Sequence, residues 1–373
     1  MKFIHTSDLH IGLKICEQAM NDVISGILDE IVQLAVDNSC TAVVIAGDIY
    51  DRSNPTPDSV KIFDEFVSSL VKNGIAVVGI SGNHDSPERV GCFSDVLKNA
   101  GVYFSPAFDG KITTAKFSDE YGDVNFILLP FAKPSLCANY ADVDITNYTE
   151  AIRYQLSLAD IDQSQRNIIV AHGFTGSAVS DDEAGGTGHI SHEVFEIADY
   201  TALGHLHTAH SVGGENIRYS GSPVRCSFAE VEPEKSVNLV TMGEKGNVTV
   251  EKLALHPTVD LREIHGTYDE LTSLEMRQSV GENNYIKAVL TDEDDITDAV
   301  MKLRIVYPRL LQLAYDNHRT RANLSEIDEY TEKLSDTLKL DEVFSELYEL
   351  QNGQRPDDDV TETVRMLLRE VEE

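Results

Sequence analysis

Five short segments of this chain share one pattern, in which aspartate, asparagine or histidine follows directly after an apolar run. In chain order they are Ser7-Asp8-Leu9-His10, Gly47-Asp48, Gly82-Asn83-His84-Asp85, Ala171-His172-Gly173 and Gly204-His205-Leu206-His207. A single Gly-Asp or Gly-Asn also marks an ordinary turn. In open α/β sheets, however, ligands bind at the carboxyl ends of the strands. The repeated pattern therefore predicts a fold in which five strand ends converge on one site.

The donors in these segments are typical of a centre that holds two divalent cations. Asp8 and His10 are two residues apart, so an extended backbone projects both to the same side, and His205 and His207 repeat that spacing. Carboxylate, amide and imidazole donors without thiolate favour Mn²⁺, Fe²⁺, Zn²⁺ or Mg²⁺. The number of donors exceeds what one small cation takes, which predicts two ions joined by a carboxylate. The candidate ligands are Asp8, His10, Asp48, Asn83, His172, His205 and His207.

Apolar runs and helical patterns alternate along the first 230 residues. Residues 2–6, 41–46 and 75–80 read as strands, and residues 15–37 and 57–72 have apolar side chains at helical spacing. This βαβα opening predicts a sheet that is covered by helices on both faces. Further strands are predicted at 124–129, 168–171, 236–242 and 247–253.

The sequence predicts three parts, at residues 1–256, 257–318 and 319–373. The middle part reads as a small α/β unit, and the last part as an acidic helical tail. The tail contains two amphipathic stripes, which either dock on a partner or pack on each other or on the middle part. They consist of Val343, Phe344, Leu347 and Leu350, and of Val360, Val364, Leu367, Leu368 and Val371.

Composition and short sequence patterns argue against a membrane-spanning or secreted protein, and the net charge bears on nucleic-acid binding. Lys and Arg number 30 against 63 Asp and Glu, for a formal net charge of −33. Taken alone, this charge argues against nucleic-acid binding, unless bound cations invert the field locally. The apolar runs are far shorter than the ~20 residues that a bilayer requires, and Lys2–Thr6 opens no signal-peptide pattern. Five cysteines without a CxxC pair predict reduced thiols and a cytoplasmic protein.

The pattern DxH…GD…GNH[DE]…H…GHxH resembles that of the calcineurin-like metallophosphoesterases. The longer segments HTSDLHIG, AGDIYDRSNPTP, SGNHDSPERV, ALGHLH and YSGSPVRCSFAE are similar to those of the bacterial nucleases in this superfamily that act with a partner ATPase. The resemblance covers nearly the whole chain. It implies a metallophosphoesterase β-sandwich flanked by helices, a small α/β capping domain, and a C-terminal helical tail that binds the ATPase.

The resemblance also implies an activity and an assembly. We expect a Mn²⁺-dependent DNA phosphodiesterase with double-strand exonuclease and single-strand, hairpin-opening endonuclease activity in DNA repair, recombination and replication. Fe²⁺ or Mg²⁺ are the alternative metals. ATP would be used by the partner, because this chain has no GxxxxGK[ST] loop. The expected assembly is a homodimer within a heterotetramer with the ATPase.

Family roles transfer to matching positions of this sequence. One ion would be held by Asp8, His10, Asp48 and His207, and the other by Asp48, Asn83, His172 and His205, with Asp48 bridging. His84 would be the general acid or transition-state stabiliser rather than a ligand; alternatively, it only orients its loop. Many relatives have a second functional histidine where this chain has Asp51. Candidates for phosphate contacts, or ordinary surface arginines, are Arg52, Arg89 and Arg225.

Two alternative functions stay open at this point. One is a small-molecule phosphodiesterase or protein phosphatase on the same dinuclear scaffold. The other is a non-catalytic adaptor whose tail regulates an ATPase. Metal content and a comparison of substrates distinguish them.

Overall fold

The fold is taken from a computed structural model that describes most of the chain. The described residues are 1–176, 188–230, 234–281, 283–318 and 320, with 344–345, 348–349, 355–357 and 360–364 of the tail. In the described residues, no helix is both long and apolar enough to cross a membrane.

A six-stranded sheet forms the first layer. Its first four strands in the chain pair in parallel, and its two last strands add two antiparallel pairs at the other edge. Helices Asn21–Asp37 and Pro57–Lys72 pack on its outer face through side chains such as Ile27 and Phe66. Thr56 caps the second helix by accepting the Ser59 N–H at 3.2 Å. The strand order is Val248–Ala254, Ser236–Met242, Lys2–Thr6, Ala42–Ala46, Ala76–Ile80, Val102–Phe104.

A five-stranded sheet forms the second layer. It is parallel except for the edge pair Thr113–Asp119 with Gly122–Leu128. Helix Tyr148–Ser157 packs on its outer face through Ile152 and Leu156. The order is Ile217–Tyr219, Tyr200–Gly204, Arg166–His172, Gly122–Leu128, Thr113–Asp119.

The two sheets pack face to face through a mainly apolar core, in which His5 is also buried. The ring of Phe3 from the first sheet makes edge contacts with Phe126 and Tyr200 of the second, at centroid distances of 5.4 and 5.8 Å. Burying each such side chain contributes about 1.5–3 kcal/mol. The expected β-sandwich flanked by helices is therefore confirmed. The βαβα opening predicted helices on both faces of one sheet. That prediction is wrong, because the second sheet covers the inner face of the first.

Short elements connect these layers. Two small two-stranded pairs are formed by Lys14–Ile15 with Gln18–Ala19 and by Thr175–Gly176 with Ile190–Ser191. The first pair occupies the beginning of the predicted helix 15–37, so that helix begins only at Asn21. The remaining short helices are Pro87–Val90, Ser94–Leu97, Lys98–Ala100, Pro134–Ala138, His192–Phe195 and Phe228–Glu230.

Beyond residue 256 the chain forms further strands and helices. A three-stranded sheet has the order Leu261–Gly266, Tyr285–Leu290, Leu310–Tyr315, and the helices are Tyr268–Leu271, Leu274–Val280 and Ala299–Val306. The chain divides into two compact units. The first comprises Met1–Glu263, Val280–Lys287 and Tyr307–Gln312, and the second Ile264–Ser279, Ala288–Val306 and the chain from Leu313. The boundaries after residues 256 and 318 stay predictions.

Most of the tail prediction lies outside the described residues. Of the two amphipathic stripes, the structure describes Phe344, Val360 and Val364, all three in helical conformation. The rings of Phe344 and Tyr348 lie with centroids 5.9 Å apart.

Candidate metal centre

The candidate ligands lie at the carboxyl ends of strands from both sheets. Asp8 follows Lys2–Thr6, Asp48 follows Ala42–Ala46, and His172 is the last residue of its strand. All three side chains are buried. The sandwich therefore brings donors from both layers to one edge.

The backbone at these strand ends adopts conformations that are unusual for residues with side chains. The φ angles are +53° at Asp8, +44° at His10, +49° at Asp48 and +114° at His205. Such conformations cost about 1–3 kcal/mol each and persist where the surrounding structure imposes them. Hydrogen bonds from the Asp8 N–H to Gly47 O at 3.0 Å and from the His10 N–H to Asp48 O at 3.1 Å join the first two loops.

Two glycines allow the loops to approach this closely. A Cβ atom on Gly82 would lie 2.2 Å from Oδ1 of Asp48, and one on Gly204 would lie 2.0 Å from the carbonyl oxygen of Ala46. Both distances are shorter than van der Waals contact, so any side chain at these positions would push the strand ends apart.

Asp48 lies at the centre of the arrangement. Its Oδ2 is 3.4 Å from Nε2 of His172 and 4.0 Å from Nε2 of His10. Two groups of possible ligand atoms, each with all members within 4.8 Å of one another, share this carboxylate: one adds Asp8 and His10, the other His172 and His205. Burial alone would raise the pKa of Asp48, but the adjacent His172 holds it below its ordinary value. Asp48 is thus an anion placed between two clusters of donors.

Asn83 joins the second of these groups. The Nδ1–H of His172 donates to the carbonyl oxygen of Ala46 at 2.8 Å, which directs Nε2 toward Oδ1 of Asn83 at 2.9 Å. The same Oδ1 is 3.2 Å from Nδ1 of His205. An amide oxygen, two imidazoles and the shared carboxylate therefore lie close together.

His10 and His207 face each other in the first group. Their Nε2 atoms are 3.1 Å apart, and Nδ1 of His10 is buried without a hydrogen-bond partner among the described residues. Burial lowers the pKa of His10, although the carboxylates of Asp8 and Asp48 oppose this. Two imidazole nitrogens that point at one place beside carboxylates fit a divalent cation, which binds neutral imidazole.

His84 lies at the exposed rim of the centre. Its Nδ1–H donates to the carbonyl oxygen of Asp51 at 3.0 Å, and its Nε2 lies 4.0 Å from Oδ2 of Asp48. The side chain is 44% exposed, so a substrate can reach it. The side chain of Asp51 has its Oδ1 3.8 Å from Nδ1 of His10.

The three candidate arginines lie in different environments. The side chain of Arg52 is 77% exposed and its Nε is 3.4 Å from the Asp51 carboxylate. Arg89 lies in the short helix Pro87–Val90. Arg225 is largely buried, forms an ion pair with Asp260, and donates to the Glu230 carbonyl oxygen at 3.1 Å. Phosphate contact by any of the three stays a prediction.

Sequence reasoning missed three groups that adjoin the centre. The Glu230 carboxylate accepts a hydrogen bond from Nδ1–H of His207 at 2.9 Å and one from Nζ of Lys235 at 2.7 Å. Burial raises the pKa of Glu230, but these two donors outweigh it and lower the value to about 2. The thiol of Cys226 lies within 4.8 Å of ring nitrogens of His10 and His207. The segment YSGSPVRCSFAE contains Cys226 and Glu230, but its composition does not indicate a place at the centre.

Comparison with known proteins agrees with this geometry. Residues 1–209 match the calcineurin-like phosphoesterase family, and residues 257–352 match the family described as type 5 capsule protein repressor C-terminal domain. The chain therefore belongs to the calcineurin-like phosphoesterases, a family whose scaffold implies a dinuclear divalent-metal site. It is 30% identical over 323 residues to the SbcD subunit of the SbcCD nuclease of Staphylococcus epidermidis (strain ATCC 12228 / FDA PCI 1200), covering 84% of this chain and 85% of that protein. Within the family, it belongs with the SbcD proteins.

Two solved structures also align with the chain. A dimetal phosphatase from Danio rerio is 13% identical, with 68% of this chain and 96% of that chain covered and a TM-score of 0.40. The protein TT1561 of Thermus thermophilus is 12% identical, with coverages of 67% and 98% and a TM-score of 0.40. At these values the two structures add nothing to the assignment.

Proposed function

We propose that this protein is the nuclease subunit of an SbcCD complex, a hydrolase that cuts DNA phosphodiester bonds. One observation carries the proposal: two groups of metal-ligand atoms share the carboxylate of Asp48, and His84 stands at the exposed side of that pair. Two-cation centres of this kind serve hydrolysis of phosphate esters. The similarity to the SbcD subunit of an SbcCD nuclease supports DNA as the substrate.

The residues divide into two ligand sets and one proton donor. We assign Asp8, His10, Asp48 and His207 to one ion, and Asp48, Asn83, His172 and His205 to the other. When bound, such ions orient a phosphate and generate a nucleophile from water at neutral pH. Mn²⁺ is the proposed metal, with Fe²⁺ and Mg²⁺ as alternatives, because all three accept oxygen and imidazole donors.

His84 has the position of a general acid. Because Asp51 O holds Nδ1–H, the ring presents Nε2 outward, where a proton on it can pass to a leaving oxygen. Asp51 thereby fixes the orientation of this ring through its backbone. That role does not depend on the histidine that many relatives carry at this position.

The proposed partner is the SbcC ATPase. A net charge of −33 repels DNA at long range, so we infer that the partner and the metal ions provide most of the grip on the phosphates. ATP use belongs to SbcC. We further propose a homodimer within an SbcC–SbcD heterotetramer, with the tail as the SbcC-binding segment and double-strand exonuclease and single-strand endonuclease as its activities.

We place this complex in the cytoplasm. All five cysteines are free thiols, two of them buried. Unpaired cysteines are typical of a reducing compartment.

The decisive experiment compares substrates under one set of conditions. The full chain, loaded with Mn²⁺, is incubated with linear duplex DNA, hairpin DNA and single-stranded DNA, with and without SbcC and ATP. We expect metal-dependent cleavage of single-stranded DNA by the chain alone and duplex digestion that requires SbcC and ATP. EDTA should abolish both.

Two other substrates provide the comparison. A small-molecule phosphodiester and a phosphoprotein are assayed at the same enzyme and metal concentrations. If either is hydrolysed much faster than every DNA substrate, the protein is a small-molecule phosphodiesterase or a phosphatase, and the nuclease proposal fails.

A further inference from the structure

We propose that Glu230 is a positioning residue for the metal centre, which fixes the ring of His207 so that Nε2 faces the ion. This inference rests on the proposed function, because it assigns a role toward that same centre. Glu230 lies outside the five motifs that supply the ligands. Its carboxylate nevertheless contacts one of those ligands directly.

The hydrogen bond between Glu230 and His207 fixes the place of the ring proton. An ionised carboxylate only accepts hydrogen bonds, so the 2.9 Å contact between Oε1 of Glu230 and Nδ1 of His207 places the ring proton on Nδ1. A neutral imidazole then has its lone pair on Nε2. That nitrogen is the one 3.1 Å from Nε2 of His10.

Glu230 is itself held in place by neighbouring donors. Its other oxygen, Oε2, accepts from Nζ of Lys235 at 2.7 Å and from the backbone N–H of Cys226 at 3.3 Å. Nζ of Lys235 also donates to Oγ of Ser222 at 2.8 Å. Because Lys235 is almost fully buried and has three acceptors, it holds the carboxylate in one orientation.

A hydrogen-bond partner of this kind changes how a histidine binds a metal ion. Histidines that bind metals generally donate their second ring N–H to a carboxylate or carbonyl, which fixes the tautomer and makes the ligand more basic. His172 has such a partner in the carbonyl oxygen of Ala46, at 2.8 Å. Glu230 gives His207 a charged partner, and we therefore expect it to increase affinity for the ion that His207 binds.

The test measures metal binding rather than cleavage. Mn²⁺ is titrated into metal-free protein, and the electron paramagnetic resonance signal of the free ion gives the two dissociation constants. For Glu230→Gln we expect one of them to rise at least tenfold, as removal of such partners typically does. Glu215→Gln is the matched control, since Glu215 is an exposed glutamate paired with Arg218, and it should leave both unchanged.

Thermal unfolding of the metal-free variants separates positioning from a merely structural role. A structural role predicts a lower melting temperature for Glu230→Gln with unchanged dissociation constants. If neither constant of Glu230→Gln rises tenfold, the inference is wrong.

A second measurement needs no variant and so does not depend on folding of Glu230→Gln. In ¹⁵N-histidine-labelled protein loaded with Zn²⁺, we expect His207 to be protonated at Nδ1 and metal-bound at Nε2. Metal bound at Nδ1 would overturn the proposal. A protein that shows the expected binding behaviour but cleaves no DNA would keep this inference and remove the proposed function instead.

Discussion

The backbone N–H of His84 donates a hydrogen bond of 2.9 Å to Oδ1 of Asp48. One oxygen of the shared carboxylate is therefore fixed by the loop that carries the proposed general acid, while Oδ2 faces the imidazoles of His10 and His172. The backbone of His84 and the carboxylate of Asp48 are thus joined directly. Substituting each of the two residues alone tests their proposed roles separately.

Asp48→Asn should abolish hydrolysis while leaving the fold intact. The amide keeps an oxygen for the His84 N–H but removes the charge that both ligand groups share. We expect less than about a tenth of wild-type cleavage at saturating Mn²⁺, since two-ion catalysis contributes far more than tenfold. Asp109→Asn, at an exposed carboxylate, is the control for loss of one charge. If Asp48→Asn retains more than about a tenth of wild-type cleavage, Asp48 does not bridge two ions.

His84→Asn should keep both metals and lose the proton transfer. The side chain is outside both ligand groups that share Asp48 and is exposed, so metal stoichiometry measured by plasma mass spectrometry should stay unchanged. The cleavage rate under single-turnover conditions should fall about 10²- to 10⁴-fold. His318→Asn, at a side chain 90% exposed, should have no effect. Loss of one ion from the His84 variant would make His84 a ligand.

Asp85→Asn should destabilise the protein and weaken metal binding. The buried carboxylate of Asp85 accepts three backbone hydrogen bonds, from Gly82 at 2.9 Å, Ile49 at 3.1 Å and Tyr50 at 2.9 Å, and so ties together the loops of Asp48 and Asn83. An amide cannot accept all three, because its NH₂ group would face an N–H.

The expected loss for this variant is about 2–3 kcal/mol in the free energy of unfolding. Urea unfolding at pH 7.5 measures it, because burial raises the pKa of Asp85 only to about 6 and the group is still mainly ionised there. Asp109→Asn should change the value by less than about 0.5 kcal/mol. An equally small change for Asp85→Asn would refute the bracing role.

The candidate ligands could be named from sequence because each one lies at the end of a strand or within four residues after it. Asp8, Asp48 and His172 are placed by the ends of local apolar runs, and runs of that kind are visible without a structure. The second sheet was less predictable. Its edge strands Thr113–Asp119 and Ile217–Tyr219 are partly exposed or very short, so their apolar patterns are weak.

Glu230 and Lys235 could not be assigned from sequence for a different reason. Both residues precede the strand Ser236–Met242, and their contacts with His207 depend on the place of that strand in the first sheet. A local pattern indicates which residues share a strand end. It does not indicate which residues from distant parts of the sequence contact that strand end.

Stability should depend on pH through His5, which lies outside the ligand groups. The Nε2–H of His5 donates to the carbonyl oxygen of Leu203 at 3.2 Å, and the hydroxyl of Tyr200 donates to Nδ1 at 2.9 Å. Burial lowers the pKa of His5 from 6.5 to about 3, with the charge of Arg218 adding to the effect. Below pH 6.5, His5 is protonated in the unfolded chain but stays neutral in the folded protein. The free energy of unfolding therefore falls as the pH falls from 6.5 toward 3.

His5→Gln removes this titration. Between pH 7.5 and pH 5.0, the difference in unfolding free energy between wild type and His5→Gln should shift by about 2 kcal/mol against the wild type. Urea unfolding in the presence of EDTA measures this difference and removes the contribution of bound metal. A difference that is constant across this range would show that His5 does not titrate as its burial predicts.

Phe344→Asp should disrupt assembly with SbcC while leaving the metal centre intact. Phe344 belongs to the first amphipathic stripe of the tail, and docking of such a helix face in an apolar groove is a common mode of recognition. A carboxylate in that groove is strongly disfavoured, so the variant should no longer co-purify with SbcC, and ATP-stimulated duplex digestion should disappear.

Cleavage of single-stranded DNA by the chain alone should continue, because it needs only the metal centre. Thr363→Asp, which adds the same charge at an exposed helical position of the tail, should co-purify normally. Normal complex formation by Phe344→Asp would show that this stripe packs within the chain instead.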